Sequence, residues 1–72
     1  MSWVVYDPQS LRSIMVRRGL NAGDVSRRTR GKVARTTVRN LILGEKETAQ
    51  EKTLAAVAKA LYVSVDKLRG EE

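Results

Sequence analysis

The stretch Asn21-Ala-Gly-Asp-Val-Ser-Arg-Arg-Thr-Arg-Gly-Lys-Val-Ala-Arg-Thr-Thr-Val-Arg-Asn-Leu-Ile-Leu43 decides the fold. Asn21 is a good N-cap, and Asp24 three residues on complements the exposed amides of a helix start. Val25 and Thr29 then give a short inward stripe, so this helix is brief and ends near Thr29 or Arg30. Gly31 breaks the pattern and Val33 follows as an apolar plug. Helical spacing resumes from Ala34 to Leu43 through Val38, Leu41 and Ile42, and Gly44 closes it. The stretch therefore predicts two short helices joined by a turn, the second of them polar on its outward side.

Helical signals continue on both flanks. Upstream, Asp7-Pro8 is a helix start, because the carboxylate caps free amides and proline's fixed φ suits the first helical position. Leu11, Ile14 and Met15 share one face, and Gly19 ends a helix over about residues 8–18. Downstream, Thr48-Ala-Gln-Glu51 matches a capping box. Leu54, Val57, Ala58 and Leu61 then repeat at the i, i+3, i+4, i+7 spacing of a core-facing helix. Ser64 caps a last short turn carrying Val65 and Leu68, and residues 70–72 are expected to fray. Trp3-Val4-Val5-Tyr6 has strand-forming side chains, but a single strand cannot pair with itself. Residues 1–6 are thus expected either to pack as an extended arm or to pair with a second copy. The expected architecture is one all-α domain over residues 1–72, a compact bundle of four to five short helices with a short extended N-terminal arm.

Charge narrows the function. The chain has 72 residues, with 14 Lys and Arg against 8 Asp and Glu for a net +6, and 42% of it is apolar, too much for a disordered basic tail. Residues 12–39 hold nine basic side chains and the single acid Asp24, whereas the segments on either side carry a net −1 each. The whole excess lies in one continuous stretch, as a face turned toward a polyanion requires. That stretch contains no aromatic residue, which argues against a membrane-surface helix. The four-residue apolar run near the start has no basic flank, so neither a signal peptide nor a membrane span is expected, and the reading is of a cytoplasmic, nucleoid-associated protein.

Enzyme chemistry has little to work with. The chain has no histidine and no cysteine, so the commonest catalytic base and the commonest metal ligands are missing. The acids read as caps or exposed partners rather than a buried pair, and Gly31-Lys32 lacks the remaining residues of a phosphate loop. No catalytic residue, metal, cofactor, membrane or small-molecule ligand is expected.

With Val38 and Leu41 pointing inward, Arg35, Thr36, Arg39 and Asn40 lie on the opposite side of their helix. Arginine can read guanine through two hydrogen bonds, asparagine can read adenine, and threonine offers a hydroxyl and a methyl group, so these four are the candidate base-reading set. Arg28, Arg30 and Lys32 in the turn, Asn21 at a helix N-terminus and Lys46 beyond Gly44 are the phosphate candidates.

The order of elements is that of a helix-turn-helix domain. Residues 11–68 resemble the Cro-type, lambda-repressor-like helix-turn-helix DNA-binding family. The resemblance rests on Leu11-Arg12, Arg18-Gly19-Leu20, Val25-Ser26, Val33, Thr37-Val38 with Leu41, Thr53-Leu54, Ala58-Lys59-Ala60-Leu61 and Val63-Ser64-Val65-Asp66-Lys67-Leu68. It implies a sequence-specific transcription regulator of phage or bacterial type that occupies an operator on double-stranded DNA, with residues 34–43 in the major groove. It also implies a homodimer on two half-sites, for which Trp3, Val5 and Tyr6 are the candidate contacts; a monomer on an asymmetric site stays open. The chain departs from the family in a longer, basic turn over residues 29–33, in lacking a glutamine near Ala22 or Gly23, and in ending the third helix as Ile42-Leu43-Gly44. The competing reading is a protein-interaction module, such as an antitoxin-like partner built on the same fold.

Overall fold

Helix boundaries follow the local chemistry closely. In the computed structural model, which describes residues 2–70, the Asp7 carboxylate accepts the Gln9 amide at 3.0 Å and the Ser10 hydroxyl at 2.9 Å. Helix α1 (Pro8–Arg18) starts there and ends on left-handed Gly19, φ 66°. Helix α2 (Ala22–Arg28) opens on a reciprocal cap: Asn21 Oδ1 accepts the Asp24 amide at 2.9 Å, and the Asp24 carboxylate accepts the Asn21 amide at 3.0 Å. Helix α3 (Arg35–Leu43) closes on Gly44, φ 68°. Helices α4 (Glu51–Ala60) and α5 (Val65–Leu68) complete five helices among the described residues.

The architecture is not strictly all-α. Strands β1 (Trp3–Val5) and β2 (Thr48–Gln50) form a two-stranded antiparallel sheet with Trp3 opposite Gln50, Val4 opposite Ala49 and Val5 opposite Thr48. The apolar run at residues 3–6 thus finds its partner within its own chain. Val4 and buried Ala49 face inward, and Trp3, Val5 and Thr48 face out. Beyond the ladder, the Tyr6 amide donates to the Glu47 carbonyl at 3.2 Å and the Asp7 amide to the Leu68 carbonyl at 2.7 Å.

This pairing replaces the capping box expected at Thr48 and Glu51. Thr48 lies in the strand, the N-cap is Gln50, and Gln50 makes no side-chain cap bond. The Glu51 amide donates instead to the Ser2 carbonyl at 2.9 Å. Pairing through the backbone outcompetes a side-chain cap because it satisfies several backbone groups in one segment. Of the expected arm and frayed tail, Met1, Glu71 and Glu72 lie outside the described residues.

Leu11, Val25, Val38, Leu54, Val57, Leu61 and Leu68 are fully buried, so every helix contributes to one core. Helix α2 packs on both α3 and α4, and α1 on α3 and α5. The turn between α2 and α3 is tied at its base through Thr29, the one buried polar residue among the described residues. Its hydroxyl donates to the Ser26 carbonyl at 2.6 Å and accepts the Val33 amide at 3.1 Å, while the Ser26 hydroxyl donates to the Val33 carbonyl at 2.8 Å. At its tip, Arg30 and Gly31 are both left-handed, φ 59° and 82°.

Helix α4 ends in a Schellman arrangement, with the Val63 amide bonded to the Ala58 carbonyl at 3.0 Å and the Tyr62 amide to the Lys59 carbonyl at 3.1 Å. Tyr62 takes the left-handed position, φ 58°, where glycine costs least; a residue with a Cβ there costs about 1 kcal/mol. Among the described residues, no helix is long and apolar enough to cross a membrane.

Candidate nucleic-acid interface

Helix α3 divides its side chains sharply. Val38 and Leu41 are buried and Ile42 half-buried, while Arg35, Thr36, Thr37, Arg39 and Asn40 are all exposed. At about 100° per residue, Thr36, Arg39 and Asn40 share a stripe opposite the buried pair. Leu43, 58% exposed, continues it at i+7 from Thr36. The sequence marked Leu43 only as the last residue of this helix. On this stripe it is an apolar group of the kind that contacts a thymine methyl.

Arg35 sits at one edge of the stripe rather than its centre. A Cβ built on Gly23 would stand 3.9 Å from the Arg35 Cδ, so the arginine stem passes over the start of α2. The Arg12 guanidinium donates to the Ile42 carbonyl at 2.6 Å, placing a positive charge at the C-terminal end of α3, where the helix dipole favours it. Tyr6 fixes the same end from behind: its buried hydroxyl donates to the Leu41 carbonyl at 2.7 Å. Burial pushes the Tyr6 phenol above its ordinary value. Tyr6, the residue after β1, therefore anchors the end of α3.

The only ion pair among the described residues joins Arg27 to Asp24. Arg35, Arg39, Arg30, Lys32 and Lys46 are exposed and have no carboxylate partner within the described part of the chain. Their charges are therefore available to an external anion.

The remaining phosphate candidates lie differently from what spacing suggests. Asn21 is exposed, but its cap bonds bring the Asp24 carboxylate to the start of α2. The Asn21 backbone amide and the Arg27 side chain hold that carboxyl below its usual range, so an anion already occupies the position expected to attract phosphate. Arg28 points away from α3. It lies five residues from Gly23, about 140° around α2, and its guanidinium donates to the Ala60 carbonyl at 3.3 Å and sits 5.7 Å from the Tyr62 ring centroid. Arg28, Arg30 and Lys32 line a groove against α4.

Of the arm residues considered for a dimer contact, Tyr6 is committed to its own core, whereas Trp3 and Val5 are 62% and 64% exposed. The described residues contain no cluster of three or more potential metal-ligating His, Cys, Asp or Glu side chains. No family model, curated protein or solved structure matches the chain.

Proposed function

We propose that this chain is a sequence-specific double-stranded DNA-binding transcription regulator of Cro-like, lambda-repressor-like type. In this reading α2, the turn over residues 29–34 and α3 form the helix-turn-helix unit, and α3 enters the major groove of an operator. The observation that carries it is the exposed stripe of Thr36, Arg39 and Asn40, edged by Arg35, directly opposite buried Val38 and Leu41. Two guanidinium groups without internal carboxylates on a helix backed by the core are suited to bidentate contact with guanine edges. Lys46 adds a phosphate contact beyond Gly44, and occupation of the operator excludes polymerase. Such a protein works in the cytoplasm, associated with the nucleoid.

Selection of bound sequences from a randomised duplex pool tests the reading: one enriched motif is expected, and an unenriched pool refutes it. Titration at two salt concentrations separates this function from a protein-interaction module. Each phosphate contact lowers log affinity by roughly 0.9 per log unit of salt, whereas a surface that recognises only protein gives no duplex binding to titrate. A second reading, a homodimer on two half-sites, is favoured by outward-facing Trp3 and Val5 on β1. A palindromic selected motif and a dimeric mass in solution would support it.

A further inference from the structure

Between the end of α2, the turn after it and α4 lies a groove of about 550 Å³ walled by Arg27, Arg28, Arg30, Lys32, Lys59 and Tyr62. Its floor is Thr29, Ala56 and Ala60, and among the described residues no carboxylate lines it. It continues past Lys32 and Lys59 into a second depression that adds Lys52. The cations thus form a track along two elements, and a track suits an extended polyanion better than a single ion.

One wall is not a cation. Tyr62 is 78% exposed, beside the Arg28 guanidinium and on a left-handed backbone that a glycine would adopt without strain. Nothing in the core explains that aromatic ring: it is absent from the buried cluster and from the side chains packed against it. A strained, solvent-facing aromatic at the end of a basic groove points to a ligand with a planar face. An acidic polypeptide needs the charges but not the ring, and a duplex keeps its bases stacked inside. A single strand presents phosphates and unstacked bases together.

We infer that this groove binds a single-stranded polynucleotide, with its phosphates along Arg28, Arg30, Lys32 and Lys59 and one base stacked on Tyr62. The site goes beyond the duplex reading: it shares none of the base-reading candidates Arg35, Thr36, Arg39 or Asn40, although it takes in Arg28, Arg30 and Lys32, which the sequence offered as duplex-phosphate candidates.

The test is fluorescence anisotropy of the full chain with labelled oligo(dT), oligo(U) and a random duplex at fixed salt. Variants are Tyr62→Gly, which suits the left-handed backbone, the pair Lys32→Gln with Lys59→Gln, and Arg39→Ala. The expected result is binding of the single strands, weakened about 5- to 150-fold by Tyr62→Gly, the loss of one base–aromatic stack, with duplex affinity unchanged. The lysine pair lowers single-strand affinity and flattens its salt dependence, and Arg39→Ala leaves it intact. A preference for DNA or RNA strands would show in the ratio of oligo(dT) to oligo(U). Four results overturn the inference: no single-strand binding; no effect of Tyr62→Gly; equal loss on duplex and single strand, which makes the groove a duplex-backbone contact; or competition by polyglutamate as effective as by oligo(dT), which makes it a surface for acidic protein. Loss of duplex selectivity alone would sink the regulator reading and leave this one standing.

Discussion

Replacing Gly44 by alanine should be far more damaging than the same change at Gly19, although both glycines end helices with nearly the same backbone. Gly19 has φ 66° and Gly44 φ 68°, so adding a Cβ carries a similar conformational cost at each, about 1 kcal/mol. Around Gly19 a new Cβ meets nothing within 4 Å. At Gly44 it would lie 2.5 Å from Pro8 Cγ and 2.7 Å from Pro8 Cβ, a ring fixed at the first turn of α1. Forcing those atoms apart is an overpacking problem costing roughly 1–3 kcal/mol more. Thermal unfolding followed by circular dichroism should show Gly19→Ala melting about 4–8 °C lower and Gly44→Ala about 8–32 °C lower, in a domain of this size. Combining Gly44→Ala with Pro8→Gly should cost less than the two single changes added together, because the second removes what the new methyl strikes. Equal destabilisation at the two glycines, or strict additivity with Pro8→Gly, would refute the idea that α1 and the end of α3 are held in direct contact.

Other perturbations read individual bonds. Tyr6→Phe removes the donor to the Leu41 carbonyl and should cost about 1–3 kcal/mol in urea unfolding, because a buried acceptor loses its partner. Burial favours the neutral phenol of Tyr6, so its contribution is fully present below the ordinary tyrosine value and is lost as pH rises through the raised one. An alkaline loss of stability that Tyr6→Phe abolishes is the expected signature. Thr29→Val strands the Val33 amide and should cost about 1–3 kcal/mol by the same measurement, with the turn's amides losing hydrogen-exchange protection first. The depressed Asp24 carboxyl contributes stability above the ordinary aspartate value that disappears as pH falls through the lowered one. In melts from neutral pH into acid, Asp24→Asn should therefore show a shallower decline than the parent chain.

What the sequence made legible was local. Asp7-Pro8, Gly19 and Gly44 mark helix ends because a cap or a left-handed turn is decided within a few residues, and the stripes through Val38-Leu41 and Leu54-Leu61 follow from helical spacing alone. Thr48 to Glu51 misled for the complementary reason. Its capping pattern is local, but β1 supplies a competing set of backbone bonds from the other end of the chain. Tyr6 looked available for a second copy until the Leu41 carbonyl became its partner, a contact 35 residues away.

The candidate interface divides the same way. The outward set on α3 could be read from the phase of one helix. The direction of Arg28 could not, because it depends on where α4 sits across α2. Tyr62 gave no signal at all: glycine is the usual mark of a left-handed helix end, and tyrosine stands in its place.

The central claim is that the exposed edge of α3 reads base pairs. Its most direct test measures Arg39→Ala and the parent chain on the duplex selected from a random pool and on a scrambled duplex of equal length. A loss of about 1–3 kcal/mol on the selected duplex, with relaxed preference at one base pair and little change on the scrambled one, is the predicted outcome. An equal loss on both duplexes would mean that Arg39 touches only phosphate, and no loss on either would remove α3 from the interface.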